Sequence, residues 1–182
     1  MEDVLEQVRI FADQAHADQL RKYTAERYIV HPERVMLICR EYTPDLCVLA
    51  AALLHDVLED TPVTRGAILR FLHTVMSPAE AERTVGLVGE LTDVYTKSAY
   101  PHLNRKSRKE LETARLSETS ADAQTIKYAD LIDNGYDIVK HDRQFGRKYL
   151  TEASTLLRAM TRGNPALRER AVSTIDQLRQ SF

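Results

Sequence analysis

Apolar residues recur at intervals of three and four along almost the whole chain, and this periodicity restricts the fold more than any other feature of the sequence. Between residues 2 and 17, for example, the apolar positions include Val4, Val8, Phe11 and Ala15. This is the spacing of an amphipathic α-helix and not of a β-strand. The same rhythm continues to the C-terminus, so the sequence predicts an all-α bundle of about eight helices.

Length, charge and cysteine content narrow the class of protein. The 182 residues, 43% of them hydrophobic, suit one globular domain spanning residues 1–182. With 25 Lys and Arg against 27 Asp and Glu, the charge predicts neither a nucleic-acid nor a membrane partner. The mixed, acidic N-terminus is unlike a signal peptide, so we expect a cytoplasmic location. Cys39 and Cys47 are expected to fill the core, and nothing in the sequence indicates an oligomeric state.

The most apolar helix of the chain ends in a cluster of polar residues. The segment LCVLAAALLHDVL, within about residues 45 to 58, is apolar on nearly every side, which is typical of a helix at the centre of a domain. His55 and Asp56 lie at its end, where an ionised carboxylate is costly unless it is paired or bound to a cation. If the helix continues for one turn, Glu59 and Asp60 stack beside this pair.

One imidazole and three carboxylates in a single turn favour a divalent cation, because the ion relieves the repulsion between the carboxylates. Mixed imidazole and carboxylate ligands suit Mn, Fe, Co, Ni or Zn. The alternative is a solvated acidic helix end beside a hydrogen-bonded core histidine, and a lone His-Asp pair does not decide between them. His31 and Asp130 are two further polar residues within apolar segments.

Considered together, these residues match a known family. The matching segments are AHADQLRKYTAERYIVHPERV, AALLHDVLEDT, LTD followed by NRKSRK, and TIKYADLIDN, in this order between about residues 10 and 140. The chain thereby resembles the HD-domain hydrolases of the RelA/SpoT type, especially the stand-alone small alarmone hydrolases. The resemblance implies an HD-domain helical bundle and metal-dependent hydrolysis of the 3′-pyrophosphate of guanosine alarmones, from ppGpp or pppGpp to GDP or GTP plus pyrophosphate.

The resemblance also implies roles for individual residues. In the family the metal, usually manganese, is held by the histidine of YIxHP, the HD pair and the aspartate of ADxxxN, which correspond here to His31, His55, Asp56 and Asp130. The catalytic acids of the HDxxED motif correspond to Glu59 and Asp60. Four protein ligands leave coordination positions open, as a catalytic site requires.

A substrate with phosphates at its 5′ and 3′ positions needs several cations around the metal. The Arg-Lys pair of the first motif and the basic segment after LTD supply two such clusters, although a solvated surface is the alternative for each. The substrate-binding residues expected from the resemblance are Arg21, Lys22, Thr92, Arg105, Lys106, Asn134 and Tyr149.

The loop before His31 departs from the family pattern SGEPYI. Residues 22–27 read KYTAER, which is one residue longer and lacks the turn-forming glycine and proline. The preference for guanine therefore stays open, and so does the role of the connection at 96–104. The alternatives are an HD phosphohydrolase acting on an adenine alarmone, NADPH or a nucleoside monophosphate, and a non-catalytic alarmone-binding regulator. The intact set of six metal and acid residues weighs against the regulator.

Overall fold

A computed structural model describes residues 1–182 and contains ten helices and no β-strand. The only strand-like pairing is an isolated bridge between Leu20 and Arg27. This confirms the expected all-α class. None of the helices combines the length and the apolar character that a membrane span requires.

Residue contacts divide the helices between two units. The first unit, Met1–Thr92, contains α1 (Glu2–His16), α2 (Val30–Arg40), α3 (Leu46–Leu54), α4 (Val57–Asp60), α5 (Arg65–Leu72) and α6 (Pro78–Leu91). The second unit, Asp93–Phe182, contains α7 (Arg105–Ser117), α8 (Ala121–His141), α9 (Arg143–Ala159) and α10 (Pro165–Gln180). The expectation of a single domain over residues 1–182 stays a prediction.

Helix α3 forms the core of the first unit, as its composition predicts. All its residues from Cys47 to Leu54 are buried, and it packs against α1, α2 and α6. Asp45 caps its N-terminus by accepting hydrogen bonds from the backbone N–H groups of Cys47 and Val48. Arg83 of α6 also contacts Asp45, with Nη1 2.9 Å from Oδ2. Burial alone would raise the pKa of Asp45, but the guanidinium and these amides hold it below its usual value.

The helix expected over 45–58 is interrupted where its polar cluster begins. Helix α3 ends at Leu54, and a turn through His55 and Asp56 precedes α4. The backbone carbonyl of Ala52, in the last turn of α3, lies 2.8 Å from Nδ1 of His55. A side chain thus hydrogen-bonds to an acceptor of the helical ladder at this point. The condition that the helix continues unbroken past His55 and Asp56 is therefore not met, and Glu59 and Asp60 lie on the separate helix α4.

The turn between α9 and α10 packs closely on α8 in the second unit. The hydroxyl of Tyr128 donates to the carbonyl of Met160 at 3.0 Å and accepts from the N–H of Gly163 at 3.3 Å. A Cβ atom at Gly163 would lie 2.5 Å from Cε2 of Tyr128 and 2.8 Å from the backbone nitrogen of Thr125. The second neighbour is backbone, so the site cannot relax by rotating a flexible side chain.

We therefore expect Gly163→Ala to lower the free energy of unfolding by about 1–3 kcal/mol or more, the usual cost of overpacking. Chemical denaturation followed by circular dichroism measures this change. Gly86→Ala is the matched control, because a Cβ at this position within α6 meets nothing within 4 Å. The control should be neutral or stabilising, since alanine is the better helix former. Equal stability of the Gly163→Ala variant and the wild type would contradict the packing argument.

Candidate metal centre and active site

Three potential metal ligands cluster in the first unit, namely His31, His55 and Asp56. One donor atom from each lies within 4.8 Å of the others. Oδ2 of Asp56 is 3.2 Å from Nε2 of His55 and 3.6 Å from Nε2 of His31. Adjacent ligands of an ion bound at about 2.0–2.3 Å are separated by about 2.8–3.8 Å in octahedral or tetrahedral geometry. The two distances from Oδ2 of Asp56 therefore fit binding of a common divalent ion.

The tautomer of His55 also suits metal binding. Its Nδ1 lies 2.8 Å from the carbonyl oxygen of Ala52, which only accepts hydrogen bonds. Nδ1 therefore carries a proton, and Nε2, which is 3.2 Å from Oδ2 of Asp56, is the ring nitrogen left for a metal. A ligating histidine is commonly fixed by such a hydrogen bond from its other nitrogen. Both His31 and His55 are buried, so their rings are held in place by packing.

The site residue expected on α8, Asp130, belongs to the second unit. It is buried, and both of its oxygens have partners on the same helix. Oδ2 lies 2.8 Å from Nζ of Lys127, and Oδ1 accepts from Nδ2 of Asn134 at 2.6 Å. Its role as the fourth ligand stays a prediction. The sequence interpretation missed Lys127, although its position three residues before Asp130 placed it on the same face.

The expected catalytic acids, Glu59 and Asp60, lie on α4 with exposed side chains. The backbone N–H of Asp60 donates to the carbonyl of Asp56 at 2.9 Å. Because Glu59 and Asp60 follow Asp56 by only three and four residues, both acids lie near it, as the motif predicts. Their catalytic role stays a prediction.

Tyr28 is a second residue that the sequence interpretation missed. Its hydroxyl donates to Oδ2 of Asp56 at 2.7 Å, and the charge of Asp60 also acts on this hydroxyl. Burial, and then the charges of these two carboxylates, raise the pKa of Tyr28 above its usual range. The hydroxyl therefore stays protonated and acts as a donor. The signals in the sequence were its place in the apolar run Tyr28-Ile29-Val30 and its position as the first residue of the YIxHP motif.

The expected substrate-binding residues of the first unit differ in how exposed their side chains are. Arg21 is buried, with its guanidinium carbon 5.7 Å from the centre of the Tyr28 ring. Lys22 is exposed and donates to the Tyr23 hydroxyl at 3.0 Å. The hydroxyl of Thr92 donates to the carbonyl of Val88 at 2.8 Å, at the end of α6. Their binding roles stay predictions, and the burial of Arg21 means that its substitution also changes packing.

A cavity of about 890 Å³ opens in the second unit between α7, α8 and α9. Its volume is within the range of small-molecule sites. Its lining combines five basic and five acidic side chains with apolar surface. Among the lining residues are the expected site residues Arg105, Lys106, Asp130, Asn134 and Tyr149, the further cations Lys109, Lys127 and Lys148, and the apolar side chains Leu131, Ile138 and Phe145.

The first expected cation of this cavity, Arg105, is already paired. Its Nε and Nη2 donate to the two carboxylate oxygens of Glu152 at 3.0 and 2.7 Å. Its guanidinium carbon also lies 5.6 Å from the centre of the Phe145 ring. Lys106, in contrast, is exposed, and its nearest carboxylate is that of Glu110 at 3.9 Å. The binding roles of both cations stay predictions.

Comparison with known proteins gives one family and several relatives. The model of the HD domain family matches residues 28–135. A probable GTP pyrophosphokinase of Mycobacterium leprae is 34% identical over 125 residues, which are 68% of this chain and 14% of that protein. The bifunctional (p)ppGpp synthase/hydrolase SpoT of Escherichia coli is 48% identical over 60 residues, 33% of this chain and 8% of that protein. The chain thus spans only a small part of the length of these relatives.

Two of the solved structures that resemble this chain match it over most of its length. One, described as a metazoan ortholog of SpoT that hydrolyses ppGpp, superimposes with a TM-score of 0.80 and 26% identity. That match covers 98% of this chain and 97% of the other. The second, lmo0812 from Listeria monocytogenes, has a TM-score of 0.62 and 21% identity over 87% of this chain and 99% of that one. The second likeness concerns the fold alone.

Proposed function

We propose that this chain, which belongs to the HD domain family, hydrolyses the 3′-pyrophosphate of guanosine alarmones. The products of ppGpp or pppGpp would be GDP or GTP and pyrophosphate. The observation that carries this proposal is the cluster of His31, His55 and Asp56 in a chain that resembles, over 98% of its length, a metazoan protein described as hydrolysing ppGpp. We expect the protein to act in the cytoplasm, on a nucleotide and without a nucleic-acid partner.

The metal ligands in this proposal are His31, His55 and Asp56, with Asp130 as the fourth. The imidazole and carboxylate donors fit a divalent transition metal, and we propose Mn²⁺. When bound, the ion lowers the pKa of a coordinated water and polarises a phosphoryl oxygen. The Nδ1 hydrogen bond from His55 to Ala52 keeps the other ring nitrogen available as a ligand.

The proton transfers are assigned to Glu59 and Asp60. Attack of water on the 3′-linked phosphorus breaks the bond to the ribose 3′ oxygen and releases pyrophosphate. One carboxylate accepts the proton that the water loses, and a proton is delivered to the departing 3′ oxygen. Both side chains are exposed and lie within four residues of Asp56, so substrate and solvent reach them without a change in the fold.

Substrate binding is assigned to the cations and to the cavity of the second unit. Guanidinium and ammonium groups complement two diphosphate groups, and the apolar side chains of the cavity suit a nucleobase or ribose. Asn134 and Tyr149 line this cavity and offer hydrogen bonds to the nucleoside. Arg105 would bind a phosphate only by exchanging Glu152 for it, because that carboxylate occupies two of its N–H groups.

A second candidate is the same hydrolysis on another nucleotide. The observation that favours it is the loop at residues 22–27, whose KYTAER sequence lacks the family's glycine and proline. Lys22 and Tyr23 in this loop interact with each other. This altered surface is compatible with an adenine alarmone, NADPH or a nucleoside monophosphate as the substrate.

Turnover of a nucleotide panel tests the proposal. The protein, loaded with Mn²⁺, is given ppGpp, pppGpp, pppApp, NADPH and deoxynucleotides at equal concentration. We expect the highest kcat/KM for ppGpp or pppGpp, with pyrophosphate and the matching guanosine nucleotide as products. A preference for another member of the panel would replace the substrate but keep the hydrolase. Binding of ppGpp without hydrolysis of any nucleotide would support the regulator instead.

A further inference from the structure

The hydroxyl group of Tyr28 contacts a carboxylate of the proposed active site. It donates to Oδ2 of Asp56 at 2.7 Å. Oδ2 of Asp56 is also the oxygen closest to the two histidine nitrogens of the cluster. The hydroxyl therefore contacts the proposed carboxylate ligand of the metal, although Tyr28 is not itself in the proposed ligand set.

The ring that carries this hydroxyl is held on several sides. His16, at the end of α1, stacks on it with a distance of 4.5 Å between ring centres and an angle of 29° between the planes. The guanidinium of Arg21 lies near the ring as well. The backbone N–H of Tyr28 donates to the carbonyl of Gln19 at 2.9 Å. The tyrosine oxygen lies on the ring axis, so a fixed ring places the hydroxyl at a fixed point.

The stacking partner is itself oriented by a hydrogen bond. Nδ1 of His16 lies 2.9 Å from Oε1 of Gln19, and an amide oxygen only accepts. Gln19 therefore orients the His16 ring through its side chain and Tyr28 through its carbonyl. His16 is buried with 4% of its surface exposed. This arrangement builds a rigid support behind the hydroxyl.

We infer that Tyr28, supported by His16, is a positioning residue that orients the carboxylate of Asp56. The inference rests on the proposed function. A carboxylate oxygen has two lone pairs, so Oδ2 of Asp56 accepts from the hydroxyl and keeps a second lone pair for an ion. Without the hydroxyl, this carboxylate rotates more freely and the ion must order it on binding. Hydrogen-bond partners of metal ligands typically contribute about 10–100-fold in metal affinity or activity.

Tyr28→Phe tests this inference, because it keeps the ring and the stack and removes only the hydroxyl. We expect Mn²⁺ to bind the variant about 10–100-fold more weakly, as measured by electron paramagnetic resonance of free Mn²⁺ in a titration of the full chain. At saturating Mn²⁺ we expect kcat to stay below the wild-type value, because the carboxylate of Asp56 is less firmly oriented, with KM for ppGpp little changed. Tyr42→Phe, which removes a hydroxyl after α2, is the matched control and should behave as the wild type.

Wild-type Mn²⁺ affinity and kcat in a folded Tyr28→Phe variant would overturn the inference. If that variant does not fold, as judged by circular dichroism, His16→Leu decides the question: weaker Mn²⁺ binding supports the positioning role, and wild-type affinity overturns it. A wild-type chain that neither binds Mn²⁺ nor hydrolyses ppGpp would mean that the proposed function itself fails. A wild-type chain that does both, beside an unaffected Tyr28→Phe variant, would overturn the positioning role alone.

Discussion

Exhaustive chelation is expected to abolish ppGpp hydrolysis, and addition of Mn²⁺ is expected to restore it. The same loss should follow from Asp56→Asn or Asp130→Asn, because a neutral amide oxygen is a poorer ligand for a divalent cation than a carboxylate. Each variant removes a charge from the proposed coordination sphere itself. Loss of a hydrogen-bond partner of a metal ligand lowers metal affinity by up to ~100-fold. Because these substitutions change a proposed ligand itself, we expect Mn²⁺ affinity to fall by more than this.

Direct Mn²⁺ binding measurements on the two variants check this expectation. Asp133→Asn is the matched control, since it makes the same chemical change on α8, three residues from Asp130, at a position outside the proposed ligand set. The control should bind Mn²⁺ as the wild type does. Full activity after chelation would refute the metal requirement, and wild-type Mn²⁺ affinity in Asp130→Asn would remove Asp130 from the ligands while leaving the cluster of the first unit intact.

Glu59→Gln and Asp60→Asn are expected to have the opposite pattern, with Mn²⁺ retained and turnover lost. Neither carboxylate is needed to complete the proposed coordination sphere. The amide keeps the shape of the side chain but exchanges no proton at neutral pH. A general acid or base typically contributes about 10²–10⁴-fold to the rate, so we expect kcat to fall by at least that order.

Bound Mn²⁺ and single-turnover hydrolysis of ppGpp, measured on the same preparations, separate the two roles. Glu82→Gln is the matched control, because it neutralises another exposed carboxylate of the first unit. This variant should retain both metal and rate. Near wild-type turnover in both the Glu59 and Asp60 variants would show that these carboxylates are a solvated helix end, and the proton transfers proposed above would then be wrong.

The helical class and the cluster of potential metal ligands were predictable from the sequence for different reasons. Helical periodicity is a local property, so a pattern such as that of residues 2–17 indicates a helix before any packing is known. His55 and Asp56 are adjacent in the chain, and a buried helix forces their polar atoms to find partners nearby. His31 joins them in the structure, as the family resemblance implied.

The long-range polar partners of Asp56 and Arg105 were decided by tertiary packing. Tyr28 and Asp56 are 28 positions apart, and Arg105 and Glu152 are 47 apart. No periodicity relates such pairs, because their contact depends on how separate segments pack. The expected cation Arg105 is therefore found in an ion pair, and the supporting residue Tyr28 was not anticipated.

The residue at which helix α3 ends could not be predicted from the sequence. The sequence by itself determined that residues 46–54 form a buried helix, because every position there from Cys47 onward is apolar. It did not determine that the helix stops at Leu54. At the break, Nδ1 of the buried His55 ring lies 2.8 Å from the carbonyl oxygen of Ala52. Helix propensity acts between near neighbours, whereas a buried ring is oriented by everything packed around it.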